Sequence, residues 1–163
     1  MNVFVIDVNV LITANARETE QASPECVLNC IDALEMVRGN VVVLDDSDLI
    51  FEDYQKYNSF RGQPGLGDAF FKWLHDNRYS SNHFEFVIVT PIHANEEIVT
   101  FENVPLELGG FDRKDHIWLA VARASRYSPT ILNATDKDWK EWQERIESNG
   151  FVIKFLCPEL MGV

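Results

Sequence analysis

The chain has 163 residues, 46% of them hydrophobic and 12% aromatic, which is enough for one domain with one core and too apolar for a disordered segment. Its 14 Lys and Arg stand against 26 Asp and Glu, and the resulting formal charge of -12 excludes loose, charge-driven attraction to nucleic acid or to an anionic membrane. An enzyme that gathers acids around a divalent cation stays open, because the cation brings the positive charge to the site itself.

Val3 to Ile6 is apolar and β-branched without polar alternation, the pattern of a strand buried on both faces of a parallel sheet. A short helical stretch is expected near Val10 to Ala16. Ser23-Pro24-Glu25 then supplies an N-cap followed by Pro at the first helical position, so a helix should run to about Val37 and close at Gly39. Asn40 to Leu44 reads as a second strand, and Asp45-Asp46-Ser47 behind it as capping residues for a helix through about Tyr57.

Arg61 to Gly67 (RGQPGLG) is a loop by composition, and Asp68 to Asn77 is helical. Phe84 to Thr90 reads as a strand with poor alternation, and Pro91 to Gly110 carries no readable pattern. Phe111 to Ser125 is dense in apolar residues and predicts a buried helix. Pro129 to Asn133 reads as a strand, Asp138 to Ser148 as an amphipathic helix, and Phe151 to Phe155 as a last strand. This alternation predicts an α/β domain with a mainly parallel sheet.

Cys26, Cys30 and Cys157 are odd in number and form no CxxC pair, which predicts neither a disulfide framework nor a zinc ribbon and points to a reducing compartment. No basic segment precedes the first apolar run, and no apolar stretch approaches the roughly 18 residues that span a bilayer. A soluble, cytoplasmic protein without membrane contact is expected.

In open α/β sheets, ligands bind outside the carboxyl ends of the strands. Asp7 and Asn9 follow the first predicted strand, acids from Asp45 to Asp53 follow the second, and Asn133, Thr135, Asp136 and Asp138 follow PTILN. Asp112 and Asp115 open the buried helix, where Asp115 shares a face with Leu119 and Ala122 and has no Lys or Arg at a pairing distance along that face. Carboxylates that converge repel one another by about 1 to 4 kcal/mol per pair at 4 Å, depending on the local dielectric. Mg²⁺ or Mn²⁺ suits such a set of hard oxygen ligands, and the chemistry it implies is hydrolysis of a phosphodiester.

Four short motifs in this order, DVN (Asp7 to Asn9), SDLIFEDYQKY, DHIWLAVARA and TDKDW (Thr135 to Trp139), make the sequence resemble the PIN-domain family of metal-dependent ribonucleases. The resemblance covers the chain apart from about residues 60–110, a middle region longer than in compact toxin-type members. It implies a single three-layer α/β domain over residues 1–163, with helices on both faces of the sheet. It also implies that Asp7, Glu52, Asp115 and Asp136 hold one or two Mg²⁺ or Mn²⁺ ions and cleave RNA. In that scheme Asn9, Asp112, Thr135 and Asp138 support the four acids, with Asn9 orienting Asp7. Toxin-type relatives further imply a small antitoxin protein as partner and a homodimer.

Each of these residues also has a plain structural role available. Asp7, Asp112, Asp136 and Asp138 stand where helix caps are common, and Glu52 has Asp45, Asp46, Asp48 and Asp53 as neighbours. His75, His83, His93 and His116 show no metal-ligand spacing, and Arg61 reads as part of a surface turn. A phosphatase of the haloacid-dehalogenase type also begins with an Asp after its first strand but needs a second Asp two positions on, where this chain has Asn9. A PIN-like protein- or RNA-binding module is the remaining alternative.

Overall fold

The computed structural model describes residues 1–16, 22–80 and 82–161. Five short strands form one wholly parallel sheet in the order β3-β2-β1-β6-β7: β1 Val3–Ile6, β2 Val41–Asp45, β3 Phe84–Val87, β6 Thr130–Asn133 and β7 Val152–Phe155. Strand β1 lies in the middle, pairing Phe4 with Val42 on one side and with Thr130 on the other. Val5, Ile6, Val42, Val43, Ile131 and Leu132 are all buried, which accounts for the unbroken apolar runs.

Among the described residues, six helices surround the sheet as a three-layer α/β fold: α1 Val8–Ala14, α2 Pro24–Val37, α3 Leu49–Tyr57, α4 Leu66–Asn77, α5 His116–Ala124 and α6 Lys137–Ser148. Their starts follow the local chemistry. The Ser23 hydroxyl accepts from the Cys26 N–H at 3.1 Å with Pro24 behind it, and both Asp7 and Asp136 cap the helices that follow them. Helix α4 seats against α1 through Gly65 and Gly67, where a Cβ would collide with the Asn15 side chain and, at Gly67, with the Leu11 carbonyl. Gly65 and Gly67 of the Arg61 to Gly67 loop therefore serve packing, Gly62 takes a positive φ of 74°, and Arg61 is exposed.

Three local expectations need correction. The stretch from Pro91 to Gly110 is ordered: β4 Pro91–Ala94 and β5 Glu97–Phe101 form an antiparallel hairpin, followed by a 3₁₀ turn at Leu106–Leu108. The helix expected from Phe111 begins only at His116, after a 3₁₀ turn at Arg113–Asp115. Cys26 and Cys157 are disulfide-bonded although 131 residues separate them, because the chain leaving β7 returns beside the start of α2. Cys30 is left as a buried free thiol, which burial pushes up to about 12. Among the described residues, no helix is long and apolar enough to cross a membrane.

Candidate metal centre

From β1 the chain proceeds outward to β2 and β3, then crosses to β6 on the other side of β1. The crevice outside the carboxyl ends of β1 and β6 is thus the switch point of the sheet, the usual ligand site in such folds. Asp7 leaves the end of β1, Asp136 follows β6 by three residues, and Asp115 ends the 3₁₀ turn before α5. Carboxylate oxygens of these three residues lie within 4.8 Å of one another.

Asp7 is 2% exposed. Its Oδ1 accepts from the Asn9 backbone N–H at 3.1 Å and its Oδ2 from the Asn133 side-chain amide at 3.2 Å. Burial nevertheless raises its carboxyl to about 7, helped by the charges of Asp136 and Asp53 and opposed by those two hydrogen bonds. Asp115 is 8% exposed and is raised further, to about 9, by burial first and then by the charges of Asp7, Asp136 and Asp112. Asp136 is raised in the same way, while the Asp138 N–H and a hydrogen bond from protonated Asp115 moderate the effect. Among the described residues, no Lys, Arg or His forms an ion pair with any of the three.

These acids occupy the floor of a cleft of ≈ 430 Å³. Asp53 and Asp112 also line it, together with three cations, Lys56, Arg113 and Lys114, and an apolar wall that includes Ile98 and Phe101 from the hairpin. A larger groove of ≈ 850 Å³ runs along the β3 edge past Phe86, Ile88 and Tyr127. Its one acid among the described residues, Glu85, accepts from the Ser125 hydroxyl at 2.6 Å and the Arg126 N–H at 3.2 Å and is paired with the Arg126 guanidinium at 3.6 Å. The acids that could hold an ion lie in the smaller cleft.

The residues expected from the sequence separate into distinct positions. Asp7, Asp115 and Asp136 meet. Glu52 does not: it is exposed on α3 and lines no part of the cleft, whereas Asp53, one residue and 100° further round the helix, faces the acids. The reason lies in the inward face of α3, set by Ile50, Phe51 and Tyr54. The Tyr54 hydroxyl donates to the Ile6 carbonyl and its ring stacks on Trp118, which turns the next-door Asp53 toward Asp7. Burial raises the Asp53 carboxyl, and Lys56 at 3.6 Å and Lys114 oppose that shift.

Asp112 caps the 3₁₀ turn by accepting from the Lys114 N–H at 3.2 Å, and it reaches the cleft. Asp138 is exposed in the first turn of α6 and contributes its N–H to Asp136. Thr135 is half-buried and does not line the cleft. Asn9 acts with two groups: its N–H meets Asp7, and its Oδ1 accepts from the Ala134 N–H at 3.0 Å, tying the turn after β1 to the turn after β6.

Asn133 is the orienting residue the motifs did not single out. Fully buried, it donates to Asp7 and accepts from the Asp136 N–H at 3.1 Å, so a single amide sets the spacing of two of the acids. The available signal was an amide at the last position of a buried strand. His116 is also buried, and desolvation lowers it so that the ring is neutral. Its Nε2 meets the Phe111 carbonyl at 2.9 Å and its Nδ1 the Thr100 hydroxyl at 2.8 Å.

Set against protein-family models, curated proteins and solved structures, the chain matches none of them.

Proposed function

We propose that this protein is an Mg²⁺- or Mn²⁺-dependent endoribonuclease of the PIN type. The observation that carries the reading is the meeting of Asp7, Asp115 and Asp136 at the switch point of the sheet, where burial first and the neighbouring carboxylates second raise each of them. The donor set fits the ion: all three offer hard carboxylate oxygens, and two are held in place by N–H groups that leave other lone pairs directed into the cleft. When bound, the ion neutralises the acids, polarises a phosphate and acidifies water for in-line attack.

The chain's own residues supply the rest. Asn133 and the Asn9 N–H fix Asp7, and the Asp138 N–H fixes Asp136, so the ligands do not have to be ordered when the ion arrives. Asp53 is the fourth acid in place of Glu52. Lys56, Arg113 and Lys114 put the cleft's cations at its lip, where they meet the phosphates of a strand that the -12 chain would otherwise repel. The phosphatase alternative loses further ground, since the Asn9 amide is neutral and its oxygen is engaged by Ala134. A homodimer and a small antitoxin partner complete the reading and rest on the resemblance alone. The cytoplasmic location drawn from the odd cysteine count loses that support, because Cys26 and Cys157 are disulfide-bonded.

The test is cleavage of a single-stranded RNA and of a phosphomonoester, each with Mg²⁺ or Mn²⁺, by the intact protein and by Asp7→Asn. RNA cleavage that requires the ion and is lost in Asp7→Asn is the expected result. Turnover of the phosphomonoester alone would establish the phosphatase, and ion-independent RNA binding without cleavage would establish the binding module.

A further inference from the structure

A two-stranded hairpin is at best marginally stable by itself. The β4–β5 hairpin shares no strand pairing with the main sheet, so it must be held by particular ties. At its base the Glu102 N–H donates to the Thr90 carbonyl at 3.0 Å, Phe101 is buried, and the Asn103 amide donates to the Ala120 carbonyl on α5 at 2.9 Å. Within the hairpin itself, the Thr100 hydroxyl reaches Nδ1 of His116 at 2.8 Å. His116 is the residue directly after Asp115, and its Nε2–H donates to the Phe111 carbonyl at 2.9 Å.

One buried imidazole therefore clasps both ends of the turn that carries Asp112 and Asp115 and grips the hairpin with its other nitrogen. The hairpin in turn places Ile98, 38% exposed, and Phe101 on the wall of the acid cleft. An exposed isoleucine beside a carboxylate floor is poorly placed for solubility and well placed to pack against a nucleobase or ribose.

We propose that the β4–β5 hairpin is the substrate-binding wall of the acid cleft, and that Thr100 and His116 are positioning residues coupling this wall to Asp115. The coupling rests on the nuclease reading for its kinetic consequences and on geometry alone for its existence. Ion binding at Asp115 steadies the turn, the turn steadies His116, and His116 steadies the hairpin against which the strand lies.

Thr100→Val keeps the shape of the side chain and removes the donor. With Mn²⁺ and a single-stranded RNA oligonucleotide it should raise KM about fivefold, the equilibrium worth of one hydrogen bond, while kcat stays at the wild-type value and Mn²⁺ affinity falls by no more than the factor by which Mn²⁺ slows hairpin exchange in the wild type. His116→Gln retains a donor toward Phe111 and drops the link to Thr100, so it should behave like Thr100→Val. His116→Ala severs both links and should also weaken Mn²⁺ binding by about tenfold or more. Ile98→Ala should raise KM without changing Mn²⁺ affinity.

Backbone amide exchange provides a readout that needs no turnover. Mn²⁺ should slow exchange across residues 91–101 of the wild type and leave it unchanged in Thr100→Val. Wild-type KM in both Thr100→Val and Ile98→Ala, or hairpin exchange insensitive to Mn²⁺ in the wild type, overturns the coupling even if RNA is cleaved. If the wild type cleaves no RNA with either ion, the nuclease reading falls, and the exchange comparison alone decides the coupling. If Thr100→Val does not fold, His116→Gln decides it by the same measurements.

Discussion

Two groups of buried aspartates sit in this fold, and they have opposite surroundings. Asp45, 1% exposed, accepts from three backbone N–H groups at the start of α3, those of Ser47, Leu49 and Ile50 at 2.9 to 3.2 Å. Asp68, wholly buried, accepts from the N–H groups of Ser59 and Gly65 at 2.8 and 2.9 Å. Asp115 is buried to a similar degree, yet what it meets is another carboxylate, Asp136. The first group spends its charge on the backbone and holds the fold together. The second brings carboxyls together at a cost in stability, a cost that a bound cation would relieve on the proposed reading. Depth of burial does not separate the two groups; what does is that Asp7, Asp115 and Asp136 face one another, whereas Asp45 and Asp68 face backbone N–H groups.

The comparison makes the largest difference where each kind is neutralised. Asp7→Asn or Asp115→Asn should lower ion-dependent RNA cleavage by about a thousandfold or more, corresponding to several kcal/mol of lost transition-state stabilisation. The same substitutions should raise the melting temperature of the metal-free protein at alkaline pH, where the two carboxyls ionise, because an unpaired buried charge is then removed. Asp45→Ala should do the reverse, costing about 2 to 4 kcal/mol of stability through the three orphaned N–H groups. Rate assays and thermal unfolding of all three variants check this, and a destabilised metal-free Asp115→Asn would break the distinction.

A pH titration should show the next largest effect. Asp7 and Asp115 have carboxyls near 7 and 9 in the folded chain against an ordinary value of 3.8. The folded state therefore binds more protons than the unfolded one between these limits, and their contribution to stability is fully present below about pH 4 and lost as pH rises toward 9. Unfolding of the metal-free protein should become easier across that range, and saturating Mn²⁺ should flatten the slope, with protons released on binding. Stability of the metal-free protein that rises from pH 5 to pH 9 would contradict the assignment.

The smallest effects separate neighbours on α3. Asp53→Asn should reduce cleavage severalfold or more, as loss of an outer contributor to a metal site does. Glu52→Gln should leave both rate and stability within experimental error, as an exposed helix substitution does. A Glu52→Gln variant as impaired as Asp53→Asn would reverse the choice between them.

Much of this arrangement was legible in the residues. The parallel sheet showed in the apolar runs of β1, β2 and β6, and helix α2 showed in Ser23-Pro24. Asp7 stood out as the carboxylate that ends the first apolar run and Asp115 as an acid on a packed helix face without a Lys or Arg to pair it, whereas Asp136 came from the resemblance of TDKDW. What stayed hidden had physical reasons. Glu52 and Asp53 differ by 100° of helix rotation, which depends on how Tyr54 packs under β1 and not on any local pattern. The hairpin turn has both central residues, Asn95 and Glu96, at positive φ, but the second is not the glycine that usually announces such a turn. The hairpin's residues before Val99 are also mostly exposed, so no apolar alternation marks its strands. The pairing of Cys26 with Cys157 depends on where the chain returns after seven strands and cannot be read from spacing.

That disulfide has a topological consequence. The covalent ring it closes runs from Cys26 to Cys157 and contains β2, β3, β6 and β7, every strand of the main sheet except one. Strand β1 lies outside the ring in sequence and at the centre of the sheet in space. The two halves of the molecule are thus linked to each other whether or not β1 is present, and β1 lies between them like a key in a closed lock. The segment that carries Asp7 and Asn9 stands outside that ring, so the one strand the disulfide does not enclose is the strand that joins the two sides of the sheet and brings the first acid to the cleft.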